Sequence, residues 1–106
     1  MSKKVILITG ASRGIGAFTA NVLAQQGHSI IINYARHDEE ANKIVNKILA
    51  SGGSASAFKA NIAHSNEVKA LFEYVIQTYG RLDVLINNAG IMALSKIEHV
   101  ENDSIN

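Results

Sequence analysis

Residues 5–18 read VILITGASRGIGAF: the apolar run Val5-Ile6-Leu7-Ile8 gives way at Thr9 to Gly10, Gly14 and Gly16, and then to a helical pattern. A strand-sized apolar run followed by glycines and an amphipathic segment is a strand–turn–helix junction. Two chemistries use such a junction. The first N–H groups of a helix lack intrahelical partners and the helix dipole favours negative charge there, so the three glycines suit a phosphate cradle. Glycine also permits positive φ and lets a pyrophosphate reach backbone that a Cβ would obstruct. Gly10-Ala11-Ser12-Arg13-Gly14 equally satisfies G-x-S-x-G, the nucleophile elbow of serine hydrolases. That elbow needs an oxyanion loop from an earlier strand, and the eight residues before Thr9 hold one strand alone. Ser12 therefore reads as a phosphate or turn contact, and the Ser-Asp-His order that Asp38, Asp83, His64 and His99 supply exists only on paper.

The pattern repeats outward from this stretch. A helix is expected over roughly 14–26 with Ile15, Phe18, Val22 and Leu23 on one face, and Gly27 beyond it suits a left-handed cap. Strand Ile30-Ile31-Ile32 precedes a helix over about 38–50 with Ala41, Ile44, Val45, Ile48 and Leu49 inward, stopped by Gly52-Gly53. A weaker strand over 55–59 leads to a helix opened by Ser65, with Val68, Leu71, Phe72, Val75, Ile76 and Tyr79 at three-to-four spacing and Gly80 after it. Leu82 to Ile86 is the fourth strand. Strands alternating with helices at this spacing predict βαβ crossovers and a parallel sheet covered on both faces, an α/β class. The polar tail SKIEHVENDSIN ends before another helix is complete, so the chain reads as truncated.

Composition narrows the function classes. The 106 residues suit one domain, and 47% apolar with 18% charged residues is the balance of a globular protein. Ten Lys and Arg against nine acidic residues create no strong field, so neither nucleic acid nor an anionic membrane is an expected partner. No apolar run approaches the ~20 residues of a membrane span, and Met1-Ser2-Lys3-Lys4 lacks the long apolar region of a secretory signal. With no cysteine in the chain, a cytoplasmic setting is expected. The four histidines, His28, His37, His64 and His99, lack helical i, i+4 spacing and read as surface or loop residues rather than metal ligands. Phe72 and Tyr74 read as packing residues, and Glu39-Glu40 as complements to a helix dipole.

Thr9-Gly10-Ala11-Ser12-Arg13-Gly14-Ile15-Gly16 at the first turn, with Asn87-Asn88-Ala89-Gly90 after the fourth strand, closely resembles the short-chain dehydrogenase/reductase family of classical type. Within it the sequence is most similar to β-ketoacyl-acyl carrier protein reductases and glucose dehydrogenases. The resemblance covers essentially the whole chain. It implies a doubly wound parallel sheet, the Rossmann fold, of which residues 1–106 are the N-terminal, dinucleotide-binding half of a single domain. It also implies hydride transfer between a nicotinamide cofactor and a small carbonyl or alcohol substrate, in a full-length homotetramer or homodimer.

By this resemblance the cofactor lies against Gly10, Ser12, Arg13, Gly14, Ile15 and Gly16. NAD-specific members place a carboxylate near the end of the second strand, where this chain has Tyr34. Arg13 and Arg36 offer planar donors to a 2′-phosphate, so NADP(H) is the expected cofactor and NAD(H) a possible one. Ala35 stands where NADP-preferring members often carry a further base. Asn61-Ile62 occupies the place of the family's Asp-Val, and the Asn61 carbonyl remains able to accept from the adenine amino group. Asn88 is assigned to hydrogen bonds between central strands, while Ala89 and Gly90 leave room for ribose. The family's proton donor is the Tyr of Tyr-x-x-x-Lys, whose Lys lowers the Tyr pKa, with a Ser orienting the carbonyl. Position i+4 is Asp38 after Tyr34, Thr78 after Tyr74 and Asp83 after Tyr79, so no catalytic residue is expected in this chain. A naturally short, non-catalytic dinucleotide-binding or regulatory module is the alternative reading.

Overall fold

The centre of the molecule is a pair of apolar strands that can be buried only by helices on both sides. In the computed structural model, which describes residues 3–90 and 92–93, these are β1 (Val5–Thr9) and β2 (Ser29–Tyr34). They are joined by α1 (Gly14–Gln25) and followed by α2 (Asp38–Ala50), β3 (Ser54–Lys59), α3 (Ser65–Tyr79) and β4 (Val84–Asn87). All pairings are parallel and the strand order is β3-β2-β1-β4. The chain thus winds outward from β1 to β3 and then returns to the other side of β1. This reversal between β1 and β4 is the topological switch point, where the carboxyl ends of the strands open a crevice.

Side chains alternate across the sheet. Ile6, Ile8, Ile30 and Ile32 pack with Ala20 and Ala24 of α1 and Ala41 and Ile48 of α2. Val5, Leu7 and Ile31 face the other way, onto Val68, Leu71 and Val75 of α3. The register Leu7↔Ile31 and Ile8↔Ile32 keeps both sets aligned, and a one-residue slip would exchange them. Burying each large aliphatic side chain contributes roughly 1.5–3 kcal/mol, so this double core is the main source of cohesion.

The strands and helices fall where the sequence pattern puts them, with β2 longer than Ile30–Ile32 and β4 shifted to Val84–Asn87. Gly27 takes φ 95° beyond α1, as a left-handed cap requires. The buried face of α1 corrects the sequence expectation. Gly16, Ala20 and Ala24 face the sheet, whereas Ile15 is 76% and Phe18 70% exposed. The cause is close approach: a Cβ on Gly16 would lie 2.7 Å from the Gly10 carbonyl oxygen, so α1 presents its smallest residues. Leu49 and Ile76, also expected inward, are about half exposed, while Ile44, Val45, Phe72 and Tyr79 are partly buried against the two cores. Ser65 begins α3 as its first helical residue, and His64 is the N-cap.

Candidate functional site

The carboxyl ends of β1 and β4 are tied together by one hydroxyl. Thr9, fully buried, donates from Oγ1 to Asn87 Oδ1 at 2.7 Å and accepts the N–H groups of Asn88 at 3.0 Å and Ala89 at 3.2 Å. Asn88 Nδ2 donates to the Gly10 carbonyl at 3.1 Å, and Asn87 Nδ2 to that of Gly90. The first and fourth turns therefore form one rigid unit although 78 residues separate Thr9 from Asn87. On the other flank the Ala11 N–H donates to the Asn33 carbonyl at 3.0 Å, and buried Asn33 donates from Nδ2 to the Ala60 carbonyl at 3.1 Å. Thr9, from the glycine motif, and Asn33, which closes the apolar run of the second strand, thus connect the carboxyl ends of all four strands. Their signal in the sequence is a polar residue closing an apolar run: Leu-Ile-Thr and Ile-Ile-Asn.

The start of α1 lies on this framework and is left open. Its N-cap, Arg13, is in extended conformation and makes no side-chain capping bond, and the first turn holds no acidic residue. The N-caps of α2 and α3, His37 and His64, make no side-chain capping bond either, but α2 opens with Asp38, Glu39 and Glu40, and α3 has Glu67 in its first turn, so the first turn of α1 differs in carrying no acidic residue. Gly14 takes φ 66°, and a Cβ placed on it meets nothing within 4 Å. Gly10 sits against Ala89, whose Cβ a side chain at position 10 would meet at 2.9 Å. Ser12 is buried in the turn, and Ile15, the second residue of α1, is exposed. Gly90, at φ 103°, likewise has open space where a Cβ would stand. An uncapped helix start over a glycine-lined cradle matches an anion with a bulky body, the chemistry of a dinucleotide pyrophosphate.

A second cluster forms where β2 and β3 end. Tyr34 is half-buried against the α1–α2 side of the core, and its carbonyl accepts the Ala60 N–H at 2.9 Å. Exposed Arg36 and His37 follow, His37 in the left-handed region at φ 68° as the N-cap of α2 and 3.4 Å from Glu40. Lys59, opposite Tyr34 in the register, reaches to 3.7 Å from Asp38. The sequence reading passed over this lysine because its spacing from Tyr34 means nothing until the strands pair. Asn61 is braced, its Oδ1 accepting the Ala63 N–H at 2.9 Å and its own N–H bonding Glu67 at 2.8 Å. That N–H, followed by His64 at 2.7 Å, holds the Glu67 carboxyl below its ordinary value. Ile62 is a core residue on the α3 side, and its carbonyl accepts the Ala93 N–H at 2.9 Å.

Among the described residues no set of three or more His, Asp or Glu could hold a metal ion. His28 is buried and accepts the Lys4 N–H, and His99 lies outside the described residues. No helix is long and apolar enough to cross a membrane among the described residues. A depression of about 580 Å³ opens at the opposite, amino end of the sheet, lined by Lys3, Gln25, Lys47 and Ser51 among others. The helices end there rather than begin.

The family profile of short chain dehydrogenases matches residues 4–106. The chain belongs to this family. Similar relatives include a 3-oxoacyl-acyl-carrier-protein reductase of Staphylococcus aureus, 48% identical over 83% of this chain and 36% of its own length. The corresponding reductase of Synechocystis is 45% identical over 86% of this chain and 37% of that protein. An oxidoreductase of Methylorubrum extorquens is 42% identical over 92% of this chain and 39% of its own. Among solved structures, a metagenomic short-chain oxidoreductase in complex with NADP superposes with a TM-score of 0.79 at 36% identity, covering 86% of this chain and 41% of that one. The chain spans under two-fifths of the length of these curated relatives.

Proposed function

We propose that this chain is the cofactor-binding part of an NADP(H)-preferring oxidoreductase whose substrate is a small carbonyl compound or alcohol. The observation that carries the reading is the uncapped start of α1 over Gly14, braced by the Thr9–Asn88 hydrogen bonds. The N–H groups of that turn hold the pyrophosphate, with Gly10 and Gly16 keeping the backbone close and Ser12 and Ile15 bordering it. Asn61 and Ile62 flank the adenine, while Ala89 and Gly90, positioned by Asn88, leave space for the second ribose. When bound, the nicotinamide supplies or receives hydride. Tyr34 puts a phenol where a carboxylate would select NAD(H), and the guanidinium groups of Arg13 and Arg36 select the 2′-phosphate.

No Tyr-x-x-x-Lys occurs in the 106 residues, so the proton donor of the whole protein belongs to a segment outside them. In this reading residues 1–106 are one part of a single Rossmann domain, and the full protein is a cytoplasmic homotetramer or homodimer. The chain alone is expected to oxidise no NADPH in the presence of carbonyl substrates, and turnover that survives repurification would contradict this.

Titration of NADPH and NADH into wild type and Arg13→Ala tests the cofactor assignment. Charge-assisted hydrogen bonds contribute roughly 1.5–3 kcal/mol each, which predicts at least about tenfold tighter NADPH binding by wild type. Arg13→Ala should weaken NADPH much more than NADH. Equal losses would assign Arg13 to the loop or the pyrophosphate, and tighter NADH binding by wild type would remove the NADP(H) assignment.

A further inference from the structure

The β2–β3 corner holds a charge arrangement that Tyr34, Arg13 and Arg36 do not account for. Three carboxylates, Asp38, Glu39 and Glu40, open α2 within six residues of Tyr34. They suit the helix dipole but oppose a phosphate brought to the same corner. Glu40 faces His37 Nδ1 at 3.4 Å. Asp38 faces Lys59 Nζ at 3.7 Å, across from the end of β3. Lys59 reaches it because parallel pairing sets Lys59 beside Tyr34, and paired residues on neighbouring strands project from the same face of a sheet. Tyr34 packs on the α1–α2 side, the side on which α2 begins.

We propose that Lys59 is a specificity residue for a 2′-phosphorylated ribose, cancelling the charge of Asp38 and turning its ammonium to the phosphate monoester. The inference rests on the NADP(H) reading above and adds a cation from β3 to it. The pair is loose: 3.7 Å exceeds hydrogen-bond length, and the two side chains are 61% and 57% exposed. Such an exposed pair holds the fold together only weakly, so diverting Lys59 to a ligand costs little structure. An ammonium carries three donors and no acceptor, so it can bond phosphate oxygens while staying close to a carboxylate. A ribose with free hydroxyls offers Lys59 no comparable charge. Asp38, kept in partnership with Lys59, is also withheld from those hydroxyls.

The test is direct titration of NADPH and NADH, at low ionic strength, into wild type, Lys59→Ala, Lys59→Arg and Asp38→Ala of this chain. Thermal melts within a few degrees of wild type are expected for all three variants, since both positions are exposed. Lys59→Ala should weaken NADPH about three- to tenfold and change NADH by less than about twofold. Lys59→Arg should keep the preference, and Asp38→Ala should tighten NADPH. No selective loss in Lys59→Ala, or unchanged NADPH affinity in Asp38→Ala, overturns the proposal. If Arg13→Ala still loses NADPH selectively in that case, the NADP(H) reading stands and the role of Lys59 alone falls. If wild type prefers NADH, both fall together.

Discussion

Gly14 and Gly16 lie two residues apart in one turn and are glycine for opposite reasons. Position 14 has φ 66° with open space around it, whereas position 16 has ordinary helical φ and no space, its Cβ falling 2.7 Å from the Gly10 oxygen and 2.9 Å from the Ala11 Cα. Gly14→Ala is expected to fold with a loss of ~1–2 kcal/mol from left-handed backbone strain, and to bind dinucleotide less well because the methyl stands in the cradle. Gly16→Ala meets backbone atoms that cannot move aside. It should cost about 1–3 kcal/mol and weaken the Asn88 bond to Gly10 as well. Denaturant melts combined with cofactor titration separate the two. Equal stability losses with equal binding losses would mean that the turn responds to any added methyl in the same way. The buried residues show the same economy: Thr9 satisfies three partners with one hydroxyl, which is why a polar side chain sits at the end of a fully apolar strand.

At the scale of elements, the two ends of the sheet are held by different means. The carboxyl ends of β1 and β4 share the neutral Thr9–Asn87–Asn88 network. Their amino ends share a charged one, in which Asp83 Oδ2 accepts the Val5 N–H at 2.8 Å and Arg81 Nε at 2.7 Å, while Arg81 Nη2 donates to the Lys3 carbonyl at 2.6 Å. Arg81, and then the Val5 N–H, hold the Asp83 carboxyl below its ordinary value of 3.8. The sign follows from that depression. The contribution of Asp83 to stability is complete above pH 3.8 and is lost as the pH falls through its lower folded-state value. Glu67 behaves likewise from its ordinary value of 4.5 downward, loosening the Asn61 turn in acid. Asp83→Asn, which binds no proton in this range, should flatten the acid limb of stability against pH. Urea melts between about pH 2 and 5 measure it, and an unchanged slope would assign the acid loss to other carboxylates.

On the scale of the whole molecule, the described residues form a sheet covered on both faces whose last strand, β4, lies at an edge. β4 pairs with β1 on one side only, and Leu85 in the middle of it is exposed. Ile15 and Phe18 add exposed apolar surface on α1. A strand edge with free N–H and C=O groups and apolar neighbours is a template for pairing with another chain. The chain should therefore scatter light increasingly with concentration, and Leu85→Lys should reduce that scattering by placing a charge on the edge. If Leu85→Lys scatters as wild type does and Phe18→Lys does not, self-association runs through the α1 face instead.

What the sequence determined by itself was the order of strands and helices and the junction at Gly10–Gly16, because apolar period and glycine placement are local properties of the chain. The runs Val5–Ile8 and Ile30–Ile32 identify central strands, and Val68, Leu71 and Val75 identify the face of α3, without any knowledge of their partners. Tertiary structure alone decided which side of α1 is buried. Ile15 and Phe18 are the more apolar residues, yet the sheet accepts Gly16, Ala20 and Ala24, because there the backbone of the helix comes within contact of the Gly10 turn. It also decided that Thr9 meets Asn88, that Asn33 meets Ala60, and that Lys59 meets Asp38, pairs that are 79, 27 and 21 residues apart. Helical or strand periodicity carries no term for such distances. They are set by strand register and by how closely a helix can lie on a sheet, and both exist only once the chain has folded.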